Sequence, residues 1–174
     1  MIAEEAAANG CSACGGRLHA GNFPRKARGV PLDLAGFFED RFSYCCSNKK
    51  EGCRTRLTPD SVRFLGRRVF VAAVVVTLSA LLEQGLTARR FARVLEVVDV
   101  SRRTLVRWIA WWRDTVPVTR FWLAHRPLLG GIAASARLPG SIIARFPRGP
   151  DRLLLVLRFL APLGAPSNSL VPAG

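Results

Sequence analysis

The residues of this chain best suited to chemistry are its five cysteines and a cluster of arginines at one predicted helix start. Cys11 and Cys14 are two residues apart and are followed by Gly15 and Gly16. Two thiolates at that spacing fit one tetrahedral metal ion, and the glycines let the backbone fold round it. A second half is available in Tyr44-Cys45-Cys46-Ser47-Asn48-Lys49-Lys50-Glu51-Gly52-Cys53, which offers up to three more thiols. An aromatic residue two positions before a metal-binding cysteine, on a strand, favours Cys46 over Cys45. The expected ligand set is therefore Cys11, Cys14, Cys46 and Cys53 around a structural zinc ion, with Cys45 and His19 as the substitutes the sequence leaves open. Four protein ligands would close the coordination sphere, so the metal would hold the fold and not catalyse. Disulfides fit less well, because no basic-then-apolar leader opens the chain; a redox pair would normally begin a helix after a strand.

The second chemical feature lies in Leu86 to Arg113, LTARRFARVLEVVDVSRRTLVRWIAWWR. Ser101 can cap a helix by accepting from the N–H groups of its first turn. Leu105, Trp108, Ile109 and Trp112 then recur at three- and four-residue spacing and form one apolar stripe. Arg102, Arg103 and Arg107 fall off that stripe. A helix buried on one side, with arginines near its start on the other, can present guanidinium groups to guanine edges or phosphates. Thr87 can cap a preceding helix, with Phe91, Ala92, Val94 and Leu95 facing inward. The pair reads as a DNA-binding helix-turn-helix whose contacting residues are Ser101, Arg102, Arg103, Thr104 and Arg107, joined by Arg89 and Arg90 of the first helix. Glu96-Val97-Val98-Asp99 lengthens the turn relative to the compact form of this motif. The plainer alternative is an amphipathic helix pair with a solvated basic face.

These features need a scaffold, and 174 residues suffice for one ordinary domain or two small ones. The expected class is mainly α with a small β zinc ribbon. In order, the chain divides into a flexible N-terminus (1–10), a zinc-ribbon-like region (11–66), a helix-turn-helix region (67–116), C-terminal helices (117–163) and a disordered tail (164–174). Within the ribbon, Leu34, Phe37, Phe38 and Phe42 have helical spacing and read as core, and Arg54 to Gly66 reads as a short strand and a turn. Val69 to Leu82 is an uncharged apolar helix ending near Gly85. It is shorter than the about 20 residues a bilayer requires, so no membrane role is expected. Further helices are expected from Thr119, from Leu138 through Phe146, and over Asp151 to Leu160 with Leu153, Val156, Leu157 and Leu160 inward.

Charge narrows the partner. With 26 basic against 12 acidic residues the formal charge is +14, which favours a polyanion through counterion release. Charge alone does not separate DNA from RNA. No enzyme is expected: after the helix pair only Asp114 and Asp151 could serve a two-metal centre, and His19 and His125 sit in no recognisable nucleophile–base arrangement.

The CxxC ribbon, the basic connector, the apolar helix and the Val100-Ser101-Arg102-Arg103-Thr104-Leu105-Val106-Arg107-Trp108 segment together resemble the N-terminal DNA-binding part of insertion-sequence transposases. The similarity covers about residues 11 to 113. In particular it looks like small bacterial transposase-associated zinc-ribbon proteins, which carry this half without the nuclease domain. That resemblance implies binding to double-stranded DNA at a mobile-element end or related site, with a transposase or recombinase subunit as a further partner; a cytoplasmic, nucleoid-associated location is expected. Two other readings use the same parts: a transcriptional regulator, most simply a homodimer on a palindrome, and an adaptor that holds a recombinase or other protein.

Overall fold

The structure is a computed structural model that describes residues 2–24, 27–31, 33–34, 40–48, 53–65, 70–129 and 137–164. The chain starts with a helix, α1 (Ile2–Ala8), where the sequence suggests flexibility. Its alanines favour helix, Glu4 and Glu5 complement the positive end of the helix dipole, and it leans on the first strand. Strands β1 (Leu18–Ala20), β2 (Phe23–Pro24), β3 (Asp40–Arg41), β4 (Tyr44–Cys46) and β5 (Arg56–Leu57) follow. They form an antiparallel three-stranded sheet in the order β1-β4-β5 and a two-stranded sheet of β2 with β3.

The register of the larger sheet sorts its side chains. Leu18 pairs with Cys46, His19 with Cys45, and Ala20 with Tyr44; across the other edge Tyr44 pairs with Leu57 and Cys45 with Arg56. Successive residues of a strand point to opposite faces. One face accordingly gathers Cys11, Leu18 and Cys46, with Cys14, Tyr44, Cys53 and Leu57 packed against them. So small an apolar cluster cannot by itself offset the entropy of ordering the loops around it.

The helical part begins at α2 (Ala72–Leu81), a few residues later than the apolar run suggests. Phe70 and Val71 are taken up by bridges to Arg28 and Phe64, so extended backbone precedes the first helical residue. α2 is apolar on all sides and packs against α4, α6 and α7, burying Val74, Val75 and Val76. It unwinds through Leu82 into Gly85, whose φ of 107° suits glycine. α3 (Ala88–Leu95) and α4 (Arg102–Ala110) come next. The inward residues of α3 are Phe91 and Val94, continued by Val98 in the turn, whereas Ala92 and Leu95 face solvent. The stripe that includes Ala92 and Leu95 is thus corrected: the i, i+3, i+7 set is the one against the core.

α4 buries Leu105 and Trp108 and extends through a wide turn (Trp111–Thr115) that buries Trp112, then a tight one (Val116–Val118). Pro117 contributes no N–H there, and Thr119 caps the next helix by accepting from Trp122 N. α5 (Arg120–His125), α6 (Gly140–Arg145) and α7 (Arg152–Leu160) complete the bundle, with Val156, Leu157 and Leu160 buried as their spacing requires. Arg152 joins α7 to α6 by donating from Nε and Nη2 to the Ile143 carbonyl at 2.9 and 2.7 Å. No helix among the described residues is long and apolar enough to cross a membrane.

The ribbon reaches into the helices through residues 27–31. Gly29 has φ of 64°, and a Cβ there would come within 3.1 Å of Val100 Cγ1, so both conformation and space call for glycine. Pro31 bridges to Val98, in the turn between α3 and α4. Of the aromatic stretch expected as core in this insert, Leu34 and Phe42 are exposed, and Phe37 and Phe38 lie outside the described residues. The tail from 165 onward also lies outside them.

Candidate metal centre and basic helix face

The knuckle at Cys11–Gly16 closes on itself through backbone hydrogen bonds: Gly15 N donates to Cys11 O at 2.8 Å and Cys11 N to Gly16 O at 2.9 Å. A Cβ on Gly16 would lie 3.1 Å from Cys46 Sγ and 3.3 Å from Cys14 Sγ, so the glycine lets the two halves approach. Strand β4 carries the facing cysteines. The sulfurs of Cys11, Cys14, Cys46 and Cys53 lie within 4.8 Å of one another, and this group could hold a metal ion. Cys11 and Cys53 are 3.8 Å apart and Cys14 and Cys46 are 3.5 Å apart. Four thiolates round a tetrahedral ion at a metal–sulfur distance of about 2.3 Å would be about 3.8 Å apart. The pocket is already close to the size that such an ion needs.

The period of the strand separates the two adjacent cysteines. Cys46 shares the inner face with Leu18 and Tyr44, and Cys45 points to the other, beside Gly21. His19, the cross-strand neighbour of Cys45, is on that outer face and exposed. Neither belongs to the four-sulfur group.

Crowding makes the thiols unequal. Thr55 lowers Cys53 to about 6, through its hydroxyl at 3.2 Å and its backbone N–H, with help from Cys14 and Cys11. At Cys46 the Asn48 N–H pulls the thiol down, but burial and the three neighbouring sulfurs outweigh it and push Cys46 up to about 12. Cys11 is lowered, first by the Ala13 N–H. Protons shared unevenly within one cluster are what a divalent cation would displace on binding. The support from Asn48 and Thr55 is backbone and hydroxyl geometry, with no signature in the cysteine spacing.

The expected DNA-contacting residues divide into groups. Ser101 is exposed and caps α4: its Oγ accepts from Thr104 N at 3.2 Å, and the two hydroxyls are 3.0 Å apart. Thr104 is buried, and its hydroxyl also accepts from Arg107 Nη2 at 3.3 Å. Thr104 thus lies behind the cap, away from solvent. Arg102 donates to the Leu86 carbonyl at 3.2 Å and Arg90 to the Gly85 carbonyl at 3.0 Å, so both brace the entry to α3. Thr87 caps that helix by accepting from Arg90 N. Arg89 and Arg103 are exposed and engage no described protein group. Arg93, outside the expected set, is equally exposed and lies one helical turn after Arg89, a spacing that points to it directly. Elsewhere, Arg113 holds the Asp114 carboxyl below its usual range through a hydrogen bond and ion pair at 2.7 Å.

Comparisons with known protein families, with curated proteins and with solved structures find no match to this chain. Its class is therefore defined by its own geometry: a largely helical chain with a small antiparallel sheet and a four-cysteine group able to hold a metal ion.

Proposed function

We propose that this chain is a zinc-stabilised duplex-DNA-binding protein, similar to the DNA-binding half of insertion-sequence transposases and acting by binding alone. The observation that carries the reading is the sidedness of α3 and α4. Phe91, Val94, Leu105 and Trp108 face the core, while Arg89 and Arg93 of α3, Arg103 just after the capped start of α4 and Arg107 further along it are exposed. Arginine at such a start suits bidentate contacts to phosphate or guanine, and a capped helix end tolerates a nearby phosphate. The cap, with Thr104 behind it and Arg102 tied to Leu86, fixes the two helices in one arrangement in which they act as a helix-turn-helix with a six-residue connection, 96–101.

Zinc is the ion that four thiolates at these separations favour, because it accepts a tetrahedral all-sulfur shell with no redox change. Its role here is to hold the ribbon, whose apolar cluster is too small to persist alone. The test is binding to mixed-sequence duplex DNA across a salt series, comparing wild type with Arg89→Ala/Arg103→Ala, whose guanidinium groups have no internal task. A steep salt slope that flattens by about 0.9 for each phosphate no longer neutralised supports the reading. A double variant that binds as wild type overturns it.

A further inference from the structure

The outer face of the β1-β4-β5 sheet bears only basic or neutral side chains. Cys53 and Thr55 are in contact on the metal side, so Arg54 and Arg56 alternate to the opposite side. By the same alternation Leu18 faces the cysteine cluster and Arg17 and His19 face away. Arg17, His19, Arg54 and Arg56 are all exposed, and His19, Cys45 and Arg56 form one row across the three strands. No aspartate or glutamate occurs in β1, β4 or β5. Arg56 is partly pre-oriented: it lies over the Phe23 ring at 5.7 Å and donates to the Gly21 carbonyl at 3.4 Å.

A cluster of cations with no carboxylate among the described residues of its strands is relieved by a polyanion. The ribbon that carries it is docked on the α3–α4 turn through Gly29 against Val100 and Pro31 against Val98. The loop that follows β2 thus touches the turn between α3 and α4.

We propose that Arg17, Arg54 and Arg56 form a second phosphate-binding surface that grips the DNA backbone beside the segment held by α3 and α4, giving the protein a two-part footprint on one duplex. The inference rests on the DNA-binding reading above. Phosphate contacts of this kind add affinity and fix register without reading bases. The metal-binding face of the same sheet has a different task, so the two faces can be separated by substitution.

The test uses the full chain loaded with zinc. Arg17→Ala/Arg54→Ala/Arg56→Ala is compared with wild type and with Arg89→Ala/Arg103→Ala for binding to mixed-sequence duplex DNA and to single-stranded RNA across a salt series, after zinc content and thermal midpoint have been matched. If each arginine meets one phosphate, the triple variant should flatten the duplex slope by about 2.7, about 0.9 per phosphate. An unchanged duplex slope in the triple variant, with a flattened one in Arg89→Ala/Arg103→Ala, overturns the second surface and leaves the first. Unchanged slopes in both overturn the DNA-binding reading itself. A loss confined to RNA assigns the face to a different partner and also overturns the proposal. Should the triple variant lose zinc, Arg54→Gln/Arg56→Gln, which keeps polar side chains of similar reach, takes its place with an expected flattening of about 1.8.

Discussion

Substitutions of Ser101 should separate the stability of α4 from its contact with DNA. Ser101 Oγ accepts from Thr104 N at 3.2 Å, and Thr104 behind it is 7% exposed. Ser101→Ala removes the cap, which typically costs about 1 kcal/mol. Thr104 keeps Arg107 as a donor, so its buried hydroxyl is not orphaned and the total should stay near about 1–1.5 kcal/mol. For a chain of this length that lowers the thermal midpoint by about 2–5 °C. Ser101→Asp restores an acceptor of equal quality and adds a charge that the helix dipole favours, so it should match wild type or exceed it by up to about 1 kcal/mol. The same charge would stand where a phosphate is proposed to lie. Like charges several ångströms apart repel by roughly 1–3 kcal/mol at such a surface, so duplex affinity should fall about tenfold. Calorimetry and fluorescence anisotropy on the same samples measure both quantities. Ser101→Asp that is stable and binds DNA as well as wild type would refute placement of the α4 start against the backbone; Ser101→Ala with an unchanged midpoint would refute the cap.

Three further outcomes are expected. Cys46→Ser should lose the metal and the ribbon with it, while Cys45→Ser should retain a full equivalent, as measured by metal content of the purified protein; equal loss in both would contradict the assignment of faces in β4. Leu105→Ala should cost about 2–5 kcal/mol because the residue is 1% exposed between α2 and α4, whereas Leu95→Ala, 46% exposed, should stay within about 0.5 kcal/mol in urea unfolding. Burial raises the Glu83 carboxyl above its usual 4.5, against the Gly140 N–H and Arg137 that favour its charge. A folded-state value above the unfolded one gives stability that is complete below pH 4.5 and lost as pH rises through the raised value. Glu83→Gln keeps an acceptor for Gly140, so its stability relative to wild type should improve as pH rises from 4.5 through the raised value; a pH-independent difference would show that the carboxyl is not perturbed.

The sequence alone determined the local features: helix caps at Thr87 and Ser101, a helix start at Thr119, the apolar stripe of α4, the inward positions of α7, and the Cys11–Cys14 pair. Each depends on residue type and spacing within a few positions, which backbone periodicity converts directly into a face or a turn. Tertiary structure decided whatever depends on a partner distant in the chain. Phe70 and Val71 left the apolar run because Arg28 and Phe64 pair with them. Ala92 and Leu95 are exposed, while Val98, bridged to Pro31, continues the buried side of α3. The choice between Cys45 and Cys46 followed from the register of β4 against β1, since a shift of one residue would interchange the faces. Periodicity fixes which residues share a face, and only the packing of distant segments fixes what that face meets.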